Sequence, residues 1–353
     1  MKLLLIILLL ASPALALDLD EALQSAASRP DAVSARLELL NAQNALLRVE
    51  NDPLALRVDK LSAEQAVRLS EAELEAAYYA AVRDIAEAYA GVLELNQQLE
   101  NAQKAQNLAQ ESLRIAQIRL DNGGATPLDV QEAQVGLEDA QKNLLLLEKN
   151  QLVALNNLEG LIGQDLSEET LEPVHDTALS ALPSLENVQA AAAGHPQMLE
   201  LEQGLELSQL SLALLDPSYA STSQIEDAQT QLDTTHELAR EAQRGFDLQV
   251  RNLYIGSESA AETYQVEVAS LSNAEERFAF QQDRFEAGLI AQIELGQAEL
   301  EYLQAELAHT QARHTYLTAL ADLQAGTLVE LTGLDAFNFN TVANIATTKG
   351  SPQ

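Results

Sequence analysis

Cysteine and tryptophan are both absent from this chain, and basic side chains are scarce. Without cysteine, no disulfide can stabilise the fold and no lipid can be attached to an N-terminal cysteine. The lack of tryptophan and an aromatic content of 4% argue against aromatic belts at a membrane interface. With 54 acidic and 20 basic side chains, the formal net charge is -34, which makes nucleic acid and anionic lipid surfaces poor partners. This balance predicts a heavily solvated surface.

Sequence motifs that carry catalytic or metal chemistry are missing as well. There is no G-x-S-x-G, no phosphate-binding loop and no H-E-x-x-H. Of the five histidines, His309 and His314 are five residues apart, whereas two metal ligands on one helix face are four apart. His309 occupies a position in an apolar helical pattern, so a packed histidine is expected there. We therefore expect no catalytic, cofactor-binding or metal-binding residues, and the chain is not predicted to be an enzyme.

The N-terminus has the pattern of a secretory signal peptide. Lys2 is followed by the apolar run Leu3 to Leu10 and then by Ala14-Leu15-Ala16, an A-x-A cleavage site. Residues 1–16 are predicted to be removed, so the mature chain would start near Leu17. No other segment is apolar enough to span a bilayer as a helix. We expect a protein of the periplasm or cell envelope, peripheral to any outer membrane, that purifies without detergent.

The sequence contains two copies of one unit, about 165 residues apart. Arg29-Pro30 corresponds to His195-Pro196, Asp52-Pro53 to Asp216-Pro217, Tyr89 to Tyr254, and segment 119–123 to segment 284–288. Constant spacing over four landmarks predicts a duplicated unit whose helices keep their lengths, which favours a long structure over an enzyme pocket. The predicted division is a first repeat at 17–178, a second repeat at 179–335 and a flexible C-terminal tail at 336–353.

Apolar residues within each unit follow a heptad pattern. From Leu74 to Leu120 the steps alternate between four and three residues, a period of 3.5 that is typical of a left-handed coiled-coil seam. Alanine dominates one heptad position, which lets helices approach closely. The large seam residues are Leu74, Tyr78, Ile85, Val92, Leu99, Leu113 and Leu120, followed by Leu137, Leu144 and Leu158 on the next helix. Gln106 and Gln151 interrupt the seam, either as buried amides that fix register or as members of a wet face.

Turn signals divide each pattern into an antiparallel helical hairpin. Gly123 can end one helix, while Thr126 and Pro127 can cap and begin the next. The segment from Ser62 to Asp121 would form a helix about 90 Å long. Two shorter helices, predicted near 19–50 and 128–162, would stack end to end beside it. The second unit repeats this plan with helices predicted near 185–215, 222–285 and 293–325.

This arrangement resembles the TolC family of outer-membrane efflux proteins over nearly the whole mature chain. The resemblance is carried by the duplicated unit, by the two dipeptides that end in Pro30 and Pro196, and by the hairpin turns. Arg284-Phe285-Glu286-Ala287-Gly288-Leu289-Ile290 is close to the usual turn of that family, and Arg119-Leu120-Asp121-Asn122-Gly123 is closer still. The resemblance implies an all-α fold of long antiparallel coiled-coil hairpins from two tandem repeats, built like the α-barrel shaft of TolC.

One departure from the family pattern is large. In that family each unit inserts about two long β-strands before its long helix, and three subunits pool them into a transmembrane β-barrel. Here the corresponding gaps run only from Asn51 to Leu61 and from Asp216 to Ser221. A membrane-crossing strand needs about 9–11 residues and strands come in pairs. The β-barrel strands are therefore expected to be missing from both units, while the helical shaft is kept.

The resemblance also implies a function and partners. The chain would be a component of an envelope efflux or secretion system, forming a homotrimeric shaft that works with a periplasmic adaptor and an inner-membrane transporter. In that family the hairpin turns meet the adaptor, a contact that would fall here on Gly123, Gly124, Ala125, Gly288, Leu289 and Ile290. The acidic residues could then line a cation-attracting lumen. The alternative is a soluble coiled-coil rod that spaces or bridges envelope layers without transport.

Overall fold

The computed structural model describes residues 16–166, 170–174, 179, 181–216, 218–331 and 334. Within these residues the elements are almost all helical. The helices are α1 (Leu19–Gln24), α2 (Pro30–Glu50), α3 (Arg57–Asp121), α4 (Pro127–Ile162), α5 (Leu185–Ala192), α6 (Pro196–Ala213), α7 (Thr222–Glu286) and α8 (Gln292–Thr327). The predicted all-α fold is confirmed. Most of the expected signal peptide, His175 and the expected tail at 336–353 lie outside the described residues.

The two repeats have matching helix lengths. Helices α3 and α7 both contain 65 residues, and α4 and α8 both contain 36. The long helices of the second repeat begin 165 residues after their counterparts, as Arg57 and Thr222 show, and the shorter helices begin 166 residues after theirs. The hairpins are therefore structural copies, as the spacing of the landmarks predicts.

The first helix of each repeat was expected to be continuous, and this expectation is wrong. A helix over 19–50 is interrupted by a 3-10 turn at Ser25–Ser28, and α2 starts afresh with Pro30. The segment 185–215 breaks in the same way before Pro196. Proline has no N–H and its ring disfavours a helical conformation in the preceding residue, so each proline begins a helix instead of continuing one.

The links between α2 and α3 and between α6 and α7 are short turns. Residues 51–56 form one link, and 214–221, described apart from Pro217, form the other. Neither link contains a strand in its described residues. The long helix starts at Arg57, five residues before the predicted start, and Asp59 accepts a hydrogen bond from the backbone N–H of Leu56.

The four long helices lie side by side in the order α4, α3, α8, α7. Helices α3 and α8 join the two repeats and run antiparallel. Several polar contacts link them; for example, Nδ1 of His314 lies 3.2 Å from Oε1 of Glu94, and Nζ of Lys104 lies 2.7 Å from Oε1 of Glu299. Because this joint is internal to the array, α4 and α7 form its two edges.

The main hydrophobic core lies near the middle of the long helices. Buried residues of α3, α4 and α8 meet there with the chain segments before α1 and after α4. Strands β1 (Ala16–Leu17) and β2 (Thr170–Leu171) pair in parallel at this level. The hydroxyl of Tyr89 donates a shared hydrogen bond to the carbonyls of Leu17 and Glu172, at 2.9 Å and 2.7 Å. This contact fastens the strand pair to α3, and burial raises the pKa of Tyr89.

Burial along the seam decreases away from this core. The seam residues at or near the core are buried, namely Leu74, Tyr78, Ile85, Val92 and Leu158. Those nearer the hairpin turns are only partly buried, namely Leu99, Leu113, Leu120, Leu137 and Leu144. Gln151 donates a hydrogen bond to Asn96 across the α3–α4 interface, whereas Gln106 pairs with Gln103 on its own helix. The two seam glutamines therefore differ in their surroundings.

Candidate functional site: the hairpin tips

The first hairpin tip, residues 122–126, closes with a Schellman motif. The N–H of Gly123 donates to the carbonyl of Leu120 at 2.9 Å, and the N–H of Gly124 donates to that of Arg119 at 2.7 Å. Gly123 has a φ of 75°, a left-handed conformation that side chains with a Cβ adopt only at a cost. The glycine is thus required by the turn itself.

A reciprocal cap begins the return helix of this hairpin. Oγ1 of Thr126 accepts from the N–H of Asp129, and the Asp129 carboxylate accepts from the N–H of Thr126 at 2.6 Å. The hydrogen bonds that the N–H and then the hydroxyl of Thr126 donate to the Asp129 carboxylate lower the pKa of this carboxyl. The tip is therefore a rigid structure fixed at both helix ends.

The second hairpin tip, residues 287–291, has the same geometry. Gly288 has a φ of 70°, and the N–H of Leu289 donates to the carbonyl of Arg284 at 2.8 Å. The Glu294 carboxylate accepts from the N–H of Ala291 at 2.8 Å, which is one half of the reciprocal cap. Since Ala291 has no side-chain acceptor, the other half is missing.

The two tips differ in the apolar surface that they present. Leu289 has 69% of its side chain exposed, and Ile290 beside it is partly buried. The equivalent positions in the first tip are Gly124, which is exposed, and Ala125, which is partly buried. No large side chain therefore protrudes from the first tip at these positions. The exposed Leu289 gives its own chain little stability, which distinguishes it from Ile290.

A second apolar surface was missed by the sequence reasoning. It lies on the edge helices of the array, where twelve large apolar side chains are between 45% and 68% exposed. On α4 they are Leu128, Val135, Leu145, Leu146, Leu152 and Val153, and on α7 they are Leu238, Leu248, Ile255, Val266, Val268 and Phe280. The run Leu144 to Leu147 was a usable signal, because two of its four leucines cannot lie in the seam.

The inner helices do not share this property. Among the described residues, α3 exposes one large apolar side chain, Ile118, and α8 exposes none to this extent. Among the four long helices, the apolar exposure is therefore concentrated on α4 and α7, which have a long-helix neighbour on one side only.

The histidines do not form a metal centre within the described part of the chain, where no group of three or more metal-ligating side chains is found. His195 caps α6 and its ring lies 5.0 Å from that of Phe246, with burial lowering its pKa. His309 packs on Tyr264 at 5.4 Å, and His314 is buried beside Glu94. Each of these three histidines thus has a packing role.

Residues 56–164 match the family model described as outer membrane efflux protein. The match includes α3, the first tip and α4 from end to end. The first hairpin carries the sequence signature of that family. The resemblance to TolC-family proteins that the tips and the repeat predict is confirmed.

Solved outer-membrane channels share the fold. The Campylobacter jejuni CmeC outer membrane channel superposes with a TM-score of 0.60 at 12% identity, covering 93% of this chain and 89% of the channel. The Vibrio cholerae outer membrane protein VceC gives 0.59 at 16%, covering 88% and 95%. CusC gives 0.64 at 14%, covering 91% and 96%. At these identities the likeness concerns the fold.

No curated protein sequence matches the chain. The matched family and channels are described as efflux proteins and outer-membrane channels, which agrees with the expectation that the chain is not an enzyme. None of the helices in the described residues combines the length and apolar character needed to cross a bilayer.

Proposed function

We propose that this protein forms the helical shaft of an envelope efflux or secretion system as a homotrimer. The exposed apolar edges of α4 and α7 carry this proposal. Because α4 and α7 are different surfaces, the edge of one copy can pack on the opposite edge of the next, a head-to-tail contact that closes into a ring. Burying these two edges would remove exposed large apolar side chains from water. The number three is taken from the resemblance.

The tips are proposed to contact a periplasmic adaptor, which in turn connects to an inner-membrane transporter. Their capped turns hold Gly123, Gly124 and Gly288 at the surface, where a partner's backbone can approach closely. Leu289 supplies an exposed apolar side chain that a partner would bury. In this proposal the repeats at 17–178 and 179–335 each supply one hairpin, residues 1–16 direct export, and the protein acts in the envelope.

The oligomer is tested with one substitution and one matched control. Leu152 on the α4 edge and Leu289 at the second tip are similarly exposed leucines, at 61% and 69%. We expect the mature chain to have the mass of a trimer in solution by light scattering. Leu152→Asp should reduce it to a monomer, because it places a charge in the buried edge contact, and Leu289→Asp should leave the trimer intact. A monomeric wild type would favour the spacer rod instead.

The adaptor contact is tested by crosslinking from the hairpin tips. Since the chain has no cysteine, Leu289→Cys introduces a single thiol at the tip for crosslinking in cells. Mass spectrometry of the crosslinked product should identify a periplasmic adaptor. A Leu289→Asp variant carrying its single cysteine at Gly124 should lose the product while helicity and trimer mass persist. Capture that survives this change would show that the tip apolar residue has only a structural role.

A further inference from the structure

The first hairpin tip contains the dipeptide Asn122-Gly123, the only asparagine followed by glycine in the sequence. Such a pair can deamidate without an enzyme, because the backbone nitrogen of the second residue can attack the side-chain amide carbon of the first. Glycine allows this attack most easily, since it has no Cβ to obstruct the approach. Asn122 is exposed, so water can reach it and ammonia can leave. The first tip therefore carries a chemically reactive pair.

The turn itself does not require this asparagine. Ala287 occupies the same position in the second tip. The N–H of Gly288 donates to the carbonyl of Phe285 at 2.9 Å, the same hydrogen bond that Gly123 makes in the first tip. Both tips thus form the same turn, but only the first has a side-chain amide at this position.

The folded tip holds the pair in an unreactive arrangement. Ring closure needs the nitrogen of Gly123 on the same side of the Cα–C bond as the Cβ of Asn122. The ψ of Asn122 is 3°, so the Gly123 nitrogen eclipses the backbone nitrogen of Asn122 instead. The Cβ lies about 120° away, as at any tetrahedral carbon. Attack therefore requires the backbone to leave its folded conformation.

Two hydrogen bonds also restrain the reacting groups. The N–H of Gly123 donates to the carbonyl of Leu120 at 2.9 Å, which disfavours loss of the proton from the attacking nitrogen. Nδ2 of Asn122 donates to the carbonyl of Ile118 at 2.8 Å, which holds the side-chain amide against the helix. Both bonds belong to the end of α3, and helix ends open locally at a small fraction of the free energy of unfolding. The reaction thus depends on opening of the tip.

We propose that Asn122 is a site of spontaneous deamidation and that opening of the first tip sets its rate. In the opened turn the nitrogen of Gly123 loses its proton and forms a bond to Cγ of Asn122. The side-chain nitrogen gains a proton and leaves as ammonia. Water then opens the succinimide ring at either carbonyl, giving aspartate or isoaspartate. This inference goes beyond the proposed function and does not depend on it, since it concerns the chain by itself.

Either product weakens the end of α3. Aspartate cannot donate to the Ile118 carbonyl, and it adds a negative charge beside Asp121 at the helix C-terminus, where the helix dipole disfavours anions. Isoaspartate adds a methylene group to the main chain before Gly123, so the hydrogen bonds of the Schellman motif no longer fit. Deamidation therefore loosens the first tip and leaves the second unchanged.

The test is incubation of the full mature chain at mildly alkaline pH, with peptide mass spectrometry to locate each conversion of an amide to a carboxylate. Asn122 should react, and Asn51 is the internal control. Asn51 ends α2 at a ψ of -5° and its Nδ2 also donates to a carbonyl four residues back, but Asp52 follows it instead of glycine. Asn51 should therefore remain unmodified. In guanidinium chloride, where the tip is unfolded, Asn122 should react at least about tenfold faster.

A variant with a weakened tip tests the link between opening and rate. Thr126→Ala with Asp129→Ala removes the reciprocal cap that begins α4, without changing the reacting residues. It should accelerate deamidation of Asn122 about fivefold. Ser221→Ala with Gln224→Ala is the matched control, because it removes the same kind of cap at the opposite end of α7 from the tip. The control should react at the wild-type rate.

Hydrogen exchange measures the consequence for the tip. Asn122→Asp reproduces the aspartate product and should speed amide exchange at Gly123 and Gly124 while leaving Gly288 unchanged. The proposal is overturned if Asn122 stays unmodified in denaturant, if the folded and denatured chains react at the same rate, or if the weakened tip reacts no faster than its control. Unchanged exchange in Asn122→Asp would refute the loosening of the tip.

Discussion

Truncation of one seam residue should be costly at the centre of the shaft and mild near the tips. Ile85 on α3 is completely buried in the main core, whereas Leu113, further along the same helix and in the same seam, is only partly buried. The changes Ile85→Ala and Leu113→Ala remove the same number of carbon atoms. Their difference therefore reports the surroundings of the side chain and not its chemistry.

The expected magnitudes follow from burial. Removing three carbons at about 0.8 kcal/mol per buried methylene gives roughly 2.4 kcal/mol for Ile85, before the cost of the cavity is added. With the cavity, the total should fall near 3–4 kcal/mol, inside the range of about 2–5 kcal/mol known for such truncations. Water can fill the space left at Leu113, so the loss there should be about 1–2 kcal/mol.

Urea unfolding followed by circular dichroism measures both losses. All variants are compared at one protein concentration, because subunit association contributes to the apparent stability. Asp121→Asn at the exposed end of α3 is the control and should change the free energy of unfolding by less than about 0.5 kcal/mol. Equal losses for Ile85→Ala and Leu113→Ala would refute the gradient of burial along the seam.

Three further outcomes are expected. Gly288→Ala should lower the free energy of unfolding by about 1–2 kcal/mol because Gly288 has a left-handed φ of 70°. Gly136→Ala, in open space inside α4, should raise it by about 0.5–1 kcal/mol. Changes of the same sign at both positions would be inconsistent with the tip geometry. Burial raises the pKa of the Glu75 carboxyl, so the folded state holds this proton more tightly and stability falls as pH rises through that pKa. Glu75→Gln should therefore flatten the fall of the urea midpoint between acidic and neutral pH. The Glu111 carboxyl has a pKa lowered by its hydrogen bond to an arginine, so Glu111→Gln should instead lower the urea midpoint at neutral pH. Tyr89→Phe removes the hydroxyl that donates to the Leu17 and Glu172 carbonyls and should cost about 1–3 kcal/mol. Faster hydrogen exchange in β2 is the readout, and unchanged exchange would mean that the strand pair is held by other contacts.

The hairpins could be predicted because their information is local. A heptad repeat and a turn with Gly123 depend on a few neighbouring residues. Because the unit is duplicated about 165 residues along the chain, each helix boundary can be predicted twice. The interruptions before Pro30 and Pro196 were also readable, since a proline favours the first turn of a helix. They were missed because the apolar pattern continues across both prolines.

The remaining features depend on contacts between distant parts of the chain. The pairing of Leu17 with Leu171 joins segments that share no pattern in sequence. Likewise, a leucine beside the seam, such as Leu145, looks the same in sequence whether it faces solvent or a neighbouring subunit. The edges became recognisable only when the order of the helices in the array showed which of them lack a second neighbour.

Equal helix lengths also restrict how a gene for this protein can change during evolution. Deleting one residue from α3 would rotate the rest of the helix by about 100°, so its seam residues would no longer face the neighbouring helix. Deleting seven would keep the seam and shorten the helix by about 10.5 Å. To keep both tips level, the same deletion would be needed in α4, α7 and α8. Viable length variants of this protein should therefore differ by whole heptads, shared by both copies of the duplicated unit.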